Sequence, residues 1–542
     1  MTDRLQTPAE LFKEATELHA NGRLADAEPR YAEVLRRDPN QADALHHLGV
    51  LRLQQGNATE AAKLIERAVS LRPKTAEMYV NLGAAYRTGK YPEKAAKAYQ
   101  QALVFNPELH DVYFNLGHAL KDLENFEDAA KAYKAYLAIN PKDAEAFNVL
   151  GDTYMRLERN DAAIDAYESA LMYDSRKTEA IGNIATILRN RGWHHAARVV
   201  IDRAIALAPA NHEIRLTYGA LCMQAGDLKN GWAALESRFD TEIEQILRRP
   251  SPPAYWEGED LIGKSVVVWT EQGLGDEVLH ASILPEVIER AGRCTIECSK
   301  RMVPVFTRSF PAATVVGYKA SDIPATSAGN FDYQIPLASL GRHFRPDFAS
   351  FPHHDGYLKA DADKVAALRA RYEALAKGRR IVGLSWRSKN ERAGEAKSMT
   401  LSELAPILQV PGVLFVNLQY GDCTEELADV REQFGIEVVQ DAAVDPLADM
   451  DMFFAQVAAM DLVLSTSNTT AHVAGAQNIP VWVLLPHGSK GLIWYWFLRR
   501  DDSPWYPAAR LIRADHKLEE GQARWLDLTE RTAADLSRWA GA

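Results

Sequence analysis

The stretch MYVNLGAAYRTGKYPEKAAKAYQQALVFNP (78–107) is followed, 34 residues on, by VYFNLGHALKDLENFEDAAKAYKAYLAINP (112–141). Both hold Asn-Leu-Gly near the start, an Ala-x-x-x-Tyr in the second part and a closing proline. The same marks recur outward in both directions. Prolines stand at 39, 73, 107, 141 and 209, with Ser175 at the skipped position. Alanines stand at 27, 61, 95, 129, 163 and 197, and a Leu-Gly pair at 48–49, 82–83, 116–117 and 150–151, continued by Ala185 and Gly219. Three registers held in phase over six periods mark an internal repeat. Small residues belong where helices approach closely, large ones such as Tyr79, Tyr113 and Phe147 between helices. Each proline belongs just after a helix, where its missing N–H costs least.

A period of 34 with Leu-Gly, Ala-x-x-x-Tyr and Pro is the tetratricopeptide pattern. Six repeats run from about 6 to 209, with a seventh, partial one to about 239. Such an array is an α-solenoid, and the residues lining its groove decide what it holds. Asn81, Asn115 and Asn183 lie two positions before the repeat small residue. A carboxamide both donates and accepts, so this row suits the backbone of an extended protein segment. The plainer alternative is a row of solvated asparagines. The repeat domain of O-linked N-acetylglucosamine transferases, which this region resembles, carries an asparagine ladder at the same position.

The chain of 542 residues is too long for a single core. Its net charge of -11 and pI near 5.8 argue against bulk attraction to nucleic acid or anionic membrane. Cys222, Cys294, Cys298 and Cys423 show no metal-ligand spacing. No apolar run reaches the length of a membrane span, and the first residues do not read as a signal peptide. A cytoplasmic protein is expected.

Past Phe239 the repeat stops, and RRPSPPAYWEG, from Arg248, reads as a linker. Trp232 and Phe239 are placed to close the last repeat and dock it on the second half of the chain. Beyond the linker, short apolar runs alternate with helices, an α/β pattern. The expected strands are 265–270, 294–299, 314–318, 333–337, 381–386, 413–420, 437–440, 462–466 and 481–485, with a closing helix at about 529–540. The expected domains are 1–240 for the repeats, 241–262 for the joint, and two Rossmann-like halves at 263–365 and 366–542.

Three places carry chemistry. In EQGLGDEV (271–278), directly after a strand, Gln272, Gly273 and Gly275 make a tight loop and Asp276 opens a helix. An acid where a phosphate loop would carry Lys suits a hydroxyl rather than a phosphate. The alternative is an N-cap. In GLSWRSKN (383–390), Trp386 is placed to flank a base or sugar, and Arg387 and Lys389 bring charge for a phosphate. The alternative is a solvated basic loop. In STSNTTAHVAGA (465–476), Ser467, Asn468, Thr469 and Thr470 lead into a helix whose free N–H groups suit an anion, with His472 one turn in. Gln419, after a neighbouring strand, joins this donor set. Asp449-Met450-Asp451 looks like a metal motif, but its place at the start of an apolar helix favours capping. Some of Trp494, Trp496, Trp505 and Tyr506 are expected to wall a cleft.

EQGLGDEVLHASILPEV, IVGLSW and DLVLSTSNTTAHVAGA followed by VWVLLP resemble bacterial tetratricopeptide glycosyltransferases. Their catalytic half is similar to the lipopolysaccharide heptosyltransferases, of the GT-B fold. The resemblance implies Asp276 as the base on the acceptor hydroxyl and Thr469, Thr470 and His472 as holders of the donor phosphate. Heptosyltransferases carry Asp-Thr-Gly in that loop, where this chain has Ser467-Asn468-Thr469, so a different donor is implied. In layout the chain is most similar to alphaproteobacterial transferases that attach nonulosonic acids to flagellin. The expectation is therefore a metal-independent, inverting protein O-glycosyltransferase with no cofactor, using a nucleotide-activated sugar and a protein acceptor such as flagellin. The alternatives are a heptosyltransferase-like enzyme acting on lipopolysaccharide or another glycan, and a repeat scaffold with a degenerate transferase half.

Overall fold

The computed structural model describes residues 6–240, 249, 253–271, 273–318, 330–388, 394–486, 493–514 and 525–541. It divides into two compact units, Met1–Ile184 and Ala185–Ala542.

The first unit is a tetratricopeptide-like helical repeat. Successive pairs, such as Ala76–Thr88 with Pro92–Phe105 and His110–Asp122 with Phe126–Ile139, follow the sequence period. Three of the pairs close on the same steric fit. A Cβ built on Gly83, Gly117 or Gly151 would lie 2.6, 2.5 or 2.6 Å from the ring of Tyr99, Tyr133 or Tyr167. Real Cβ atoms do not approach so closely, so glycine is what lets the ring in. Ala27, Ala61, Ala95, Ala129 and Ala163 are fully buried in the same way. The deep fillers are thus Tyr31, Tyr99, Tyr133 and Tyr167. Tyr79, Tyr113 and Phe147, expected in that role, are only half-buried. Tyr79 instead packs on Phe105 at a centroid distance of 5.5 Å, and Phe147 stacks on Tyr173 at 5.9 Å. The backbone turns left-handed once every 34 residues, at Gly22, Gly56, Lys90, Glu124 and Glu158, and again at Gly192 and Gly226 in the second unit.

In the second unit, the last repeat pair, His212–Ala225 and Leu228–Leu235, ends in a 3₁₀ turn, Glu236–Asp240. Met223, Leu228 and Trp232 belong to the core that also fills the α/β part. Trp232 donates its indole N–H to the Arg345 carbonyl at 2.8 Å, and its ring covers Gly341, where a Cβ would come within 2.3 Å. Phe239 meets Trp269 edge-on at 6.2 Å. The last repeat pair and its 3₁₀ turn, ending at Asp240, are built into the α/β core. A cut at the proline-rich joint would strip that core open.

Two five-stranded sheets complete the second unit, with every named pairing parallel. The first comprises β1 (Ala254–Tyr255), β2 (Ser265–Trp269), β3 (Arg293–Ser299), β4 (Thr314–Tyr318) and β5 (Tyr333–Pro336), in the order β1-β5-β2-β3-β4. The second comprises β6 (Arg380–Ser385), β7 (Val413–Asn417), β8 (Leu462–Thr466), β9 (Val481–Leu485) and β10 (Ala509–Arg513), in the order β10-β9-β8-β6-β7. Both are compatible with Rossmann-like halves. Strand order reverses between β2 and β5 and between β6 and β8, and ligand crevices open at such points. The expected strand at 437–440 is only an isolated bridge, Val439 to Val416. β1 and β10 had no sequence signal strong enough to nominate them. The closing helix spans Leu526–Gly541. Cys294 and Cys298 are free and buried in β3.

Gly117→Ala tests the repeat packing. The added methyl must displace the Tyr133 ring, an overpacking that costs about 1–3 kcal/mol. Denaturation of the full chain followed by far-ultraviolet circular dichroism should show a lowered midpoint, whereas Ala119→Gly, which removes rather than adds volume, should cost only the ~1 kcal/mol of helix propensity plus the lost methyl burial.

Candidate functional site

The glycine loop leaves the carboxyl end of β2 and enters the helix Leu274–His280. Gly273 occupies the N-cap position and no side chain caps the helix, so Asp276 is not its N-cap. This short helix packs against the helix Thr469–Ala476, which comes after β8. A Cβ on Gly275 would meet His472 Cδ2 at 3.1 Å and Thr469 Oγ1 at 3.7 Å. The first and third sequence motifs therefore come together at the seam between the sheets.

Asp276 is partly accessible there, yet densely surrounded. Burial, helped by the nearby Glu271 carboxylate, pushes its carboxyl up to about 6, while the Lys397 ammonium pulls the other way. The Tyr495 and Tyr506 hydroxyls feel the same carboxylate. Lys397, which only the fold brings here, ends the short helix Gly394–Lys397 and is 4% exposed. It forms no salt bridge with a carboxylate among the described residues. Burial lowers its pKa, and Asp276 partly restores it. Nothing in its local sequence marks it, since EAKS reads as an exposed polar turn.

The other nominated residues mostly lie deeper than the sequence suggests. His472 is buried, with Nδ1 2.7 Å from the Tyr506 hydroxyl and Nε2 3.1 Å from the Tyr495 hydroxyl. Burial, then the charge of Lys397, holds its pKa down to about 3, so it is neutral. With both nitrogens bonded to tyrosines, it orients Tyr495 and Tyr506 and does not itself reach toward a phosphate. Trp386 is fully buried and donates to Glu426 at 2.8 Å, so it does not flank a ligand. Arg387 forms an ion pair with the same Glu426, and its Nη2 donates to the Asp422 carbonyl. Its charge is largely spent inside the fold. The physical reason is shared: Glu426, far along the chain, supplies a partner that the local sequence could not reveal.

Gln419 is a buried organiser. Its Oε1 accepts from the backbone N–H groups of Trp386 and Arg387 at 3.0 and 2.9 Å. It also lines a cavity of about 360 Å³ with Asn417, Gln440, Asp445 and Gln456 at the end of β7. Asn468 caps the Thr469–Ala476 helix by accepting from Thr470 N–H at 2.9 Å, and donates to Ser385 Oγ at 2.8 Å. Thr470 donates to the same Ser385 oxygen at 3.1 Å, and Ser467 accepts from Trp496 Nε1 at 2.8 Å. Thr469 alone of this group is partly exposed, beside Gly275. Gln272 and Lys389 lie outside the described residues. Trp496, Trp505 and Tyr506 are buried and Trp494 half-buried; they back the site rather than open onto it. Asp449 caps its helix through Met452 N–H at 3.0 Å, as the capping reading expects, while Asp451 pairs with Arg308 and Lys364.

In the repeat unit, Asn81 is bonded to His46 Nε2 at 2.8 Å, and Asn183 donates to Asp152 at 3.0 Å. These two carboxamides tie neighbouring repeats. Asn115 is half-buried on the same register. Asn81 also edges a cavity of about 500 Å³ with Glu77, Val80, Glu108, Asp111 and Asn140.

A family model described as Cilia and flagella-associated protein 70 C-terminal domain matches residues 4–244. The chain carries a tetratricopeptide-repeat domain. Protein FlbA of Caulobacter vibrioides is 34% identical over 335 residues, covering 59% of this chain and 54% of FlbA. The chain thus spans about half the length of that relative. Cellulose synthase 2 operon protein C of Komagataeibacter xylinus is 49% identical over 55 residues, 10% of this chain and 4% of that protein. Among solved structures, the MamA protein is 25% identical, covering 32% of this chain and 94% of MamA at a TM-score of 0.30. YrrB, described as a TPR protein with an unusual peptide-binding site, is 21% identical, covering 32% of this chain and 90% of YrrB at a TM-score of 0.31. Among the described residues, no helix is long and apolar enough to cross a membrane.

Glu277 gives a stability test beside the site. It is buried and accepts from Ser299 N–H at 2.9 Å. Burial lifts its carboxyl from 4.5 to about 7, against the opposing pull of that N–H and of Arg301. Between these pH values the folded chain keeps a proton that the unfolded chain has lost. Stability therefore falls as pH rises through the window, and the penalty stands in full above it. Glu277→Gln keeps an acceptor for Ser299 and removes the charge. It should stabilise the chain by on the order of 1–3 kcal/mol at pH 8 and by little at pH 5, read from urea midpoints.

Proposed function

We propose that the chain is a protein O-glycosyltransferase that uses Asp276 as its base. The observation that carries this is the seam itself: a desolvated carboxylate with its pKa near 6, beside a buried lysine, where two parallel sheets offer their ligand edges. The resemblance to GT-B transferases rests on the same loop. In this reading the acceptor Ser or Thr hydroxyl gives its proton to Asp276 as its oxygen bonds to the anomeric carbon of the sugar. The bond from that carbon to the donor phosphate breaks, and the nucleotide leaves with the electron pair. Lys397 takes the place that the sequence offered to Arg387: it faces the developing phosphate charge from within the protein, where a cation acts at low dielectric. Thr469 and the N–H groups at its helix start complete the anion side.

The donor is a CMP-linked nonulosonic acid in this reading. Such a sugar brings a carboxylate of its own. Lys397 suits it, and Ser467 and Asn468 place no second anion beside it. The repeats hold the acceptor, flagellin, in the cytoplasm before export. The cavity at Asn81 and the repeat fold support a protein ligand.

Purified chain, flagellin and CMP-nonulosonic acid should give flagellin heavier by whole sugar units in intact-mass spectra. Asp276→Asn should slow transfer by roughly 10²–10⁴. The wild-type kcat/KM should rise with pH through about 6, as the carboxylate forms. Lys397→Gln should weaken nucleotide binding by about tenfold or more, the worth of a charge-assisted hydrogen bond. Near-normal turnover in Asp276→Asn would defeat the base assignment. Flagellin of unchanged mass, beside a shortened lipopolysaccharide core in cells lacking the protein, would favour the heptosyltransferase reading.

A further inference from the structure

We propose that Arg238, in the turn that ends the repeat array, is a positioning residue for the Asp276 carboxylate and acts through Glu271. The proposal rests on the reading of Asp276 as base. Arg238 is 2% exposed and lies directly after the last repeat helix. One end of its guanidinium stays with the repeat: Nη1 donates to the Leu235 carbonyl at 3.1 Å and to Glu236 at 3.0 Å. The other end crosses to the first sheet: Nη2 donates to Glu271 at 2.9 Å and to Ser339 Oγ at 2.7 Å. Ser339 also donates to Glu236 at 2.7 Å, which closes the network.

Glu271 and Ser339 mark the carboxyl ends of β2 and β5, the two strands between which the order reverses. The Glu271 side chain is 3% exposed, and Arg238 is its ion-pair partner. From Glu271 the chain runs straight into the glycine loop and Asp276. One bifurcated guanidinium thus joins the end of the repeats, the ligand edge of the first sheet and the entrance of the catalytic loop.

The charged and titratable groups facing Asp276 are Glu271 on its own loop, Lys397 from the second sheet's side, and the Tyr495 and Tyr506 hydroxyls. His280, one turn on, faces both Arg238 and the Asp276 carbonyl, and burial keeps it neutral. Of these, Glu271 is the group whose charge Arg238 controls. Burial already holds the Glu271 carboxyl above the usual range against the pull of Arg238, so without that cation it takes up a proton more readily still. Its repulsion of Asp276 is then lost.

The test reads Asp276 directly, by carbon NMR titration of the full chain labelled at aspartate carboxyls, with Asp276→Asn identifying the signal. Arg238→Gln should move the Asp276 midpoint down by about half a unit or more. Arg238→Lys, which keeps the charge, should leave it near the wild-type value. Glu271→Gln should produce the same downward shift, and adding Arg238→Gln to it should produce no further one. An unmoved midpoint in Arg238→Gln, or a shift that persists in full on the Glu271→Gln background, would overturn the proposal. The titration needs no substrate. If Asp276→Asn keeps its turnover, the base reading falls, while the midpoint still decides whether Arg238 acts through Glu271.

Discussion

The missing side chain at Gly275 eases the contact between the two helices that meet at the seam between the sheets. A methyl there would sit 3.1 Å from the His472 ring. The helix of Asp276 and the helix of His472 would then have to part by a few tenths of an ångström. Their close approach has local electrostatic consequences. It desolvates Asp276, brings Lys397 within reach of its charge, and sets Tyr495 between Asp276 and His472. Glycine serves here for space, as its φ is not left-handed.

Behind that contact stands a layer that holds it rigid. His472 spends both nitrogens on tyrosines, Asn468 caps the helix and ties it to β6 through Ser385, and Gln419 gathers the backbone of Trp386 and Arg387. Apart from Gln419, which lines a cavity, these side chains spend their polar atoms inside the fold. Under the proposed function, this layer is the support that would keep the reacting groups in place.

The repeats were legible because their signal is periodic and local: each Gly-to-Tyr fit recurs in step with the chain. The strands with strong apolar runs were legible for a similar reason. The two-residue β1 has too few residues to form a pattern, and β10, in ARLIR, has an apolar run broken by two arginines and no regular period. At the site, the glycine loop and the 465–476 stretch could be read because turn chemistry and helix starts are written in adjacent residues. The roles of Trp386, Arg387 and Lys397 could not. Their partners are Glu426 and Asp276, tens of residues to over a hundred away, and burial there is a property of the fold alone. Arg238 escaped for the same reason, although its neighbours Trp232 and Phe239 signalled the docking.

The junction at Trp232 also gives the solenoid a polarity. A free repeat array can fray from either end, because each repeat is stabilised only by its neighbours. Here the last pair shares its core with the sheets through Met223, Leu228 and Trp232. That end cannot melt without opening the α/β core as well. Heat or pulling force should therefore take this last pair and the sheets apart in a single cooperative step.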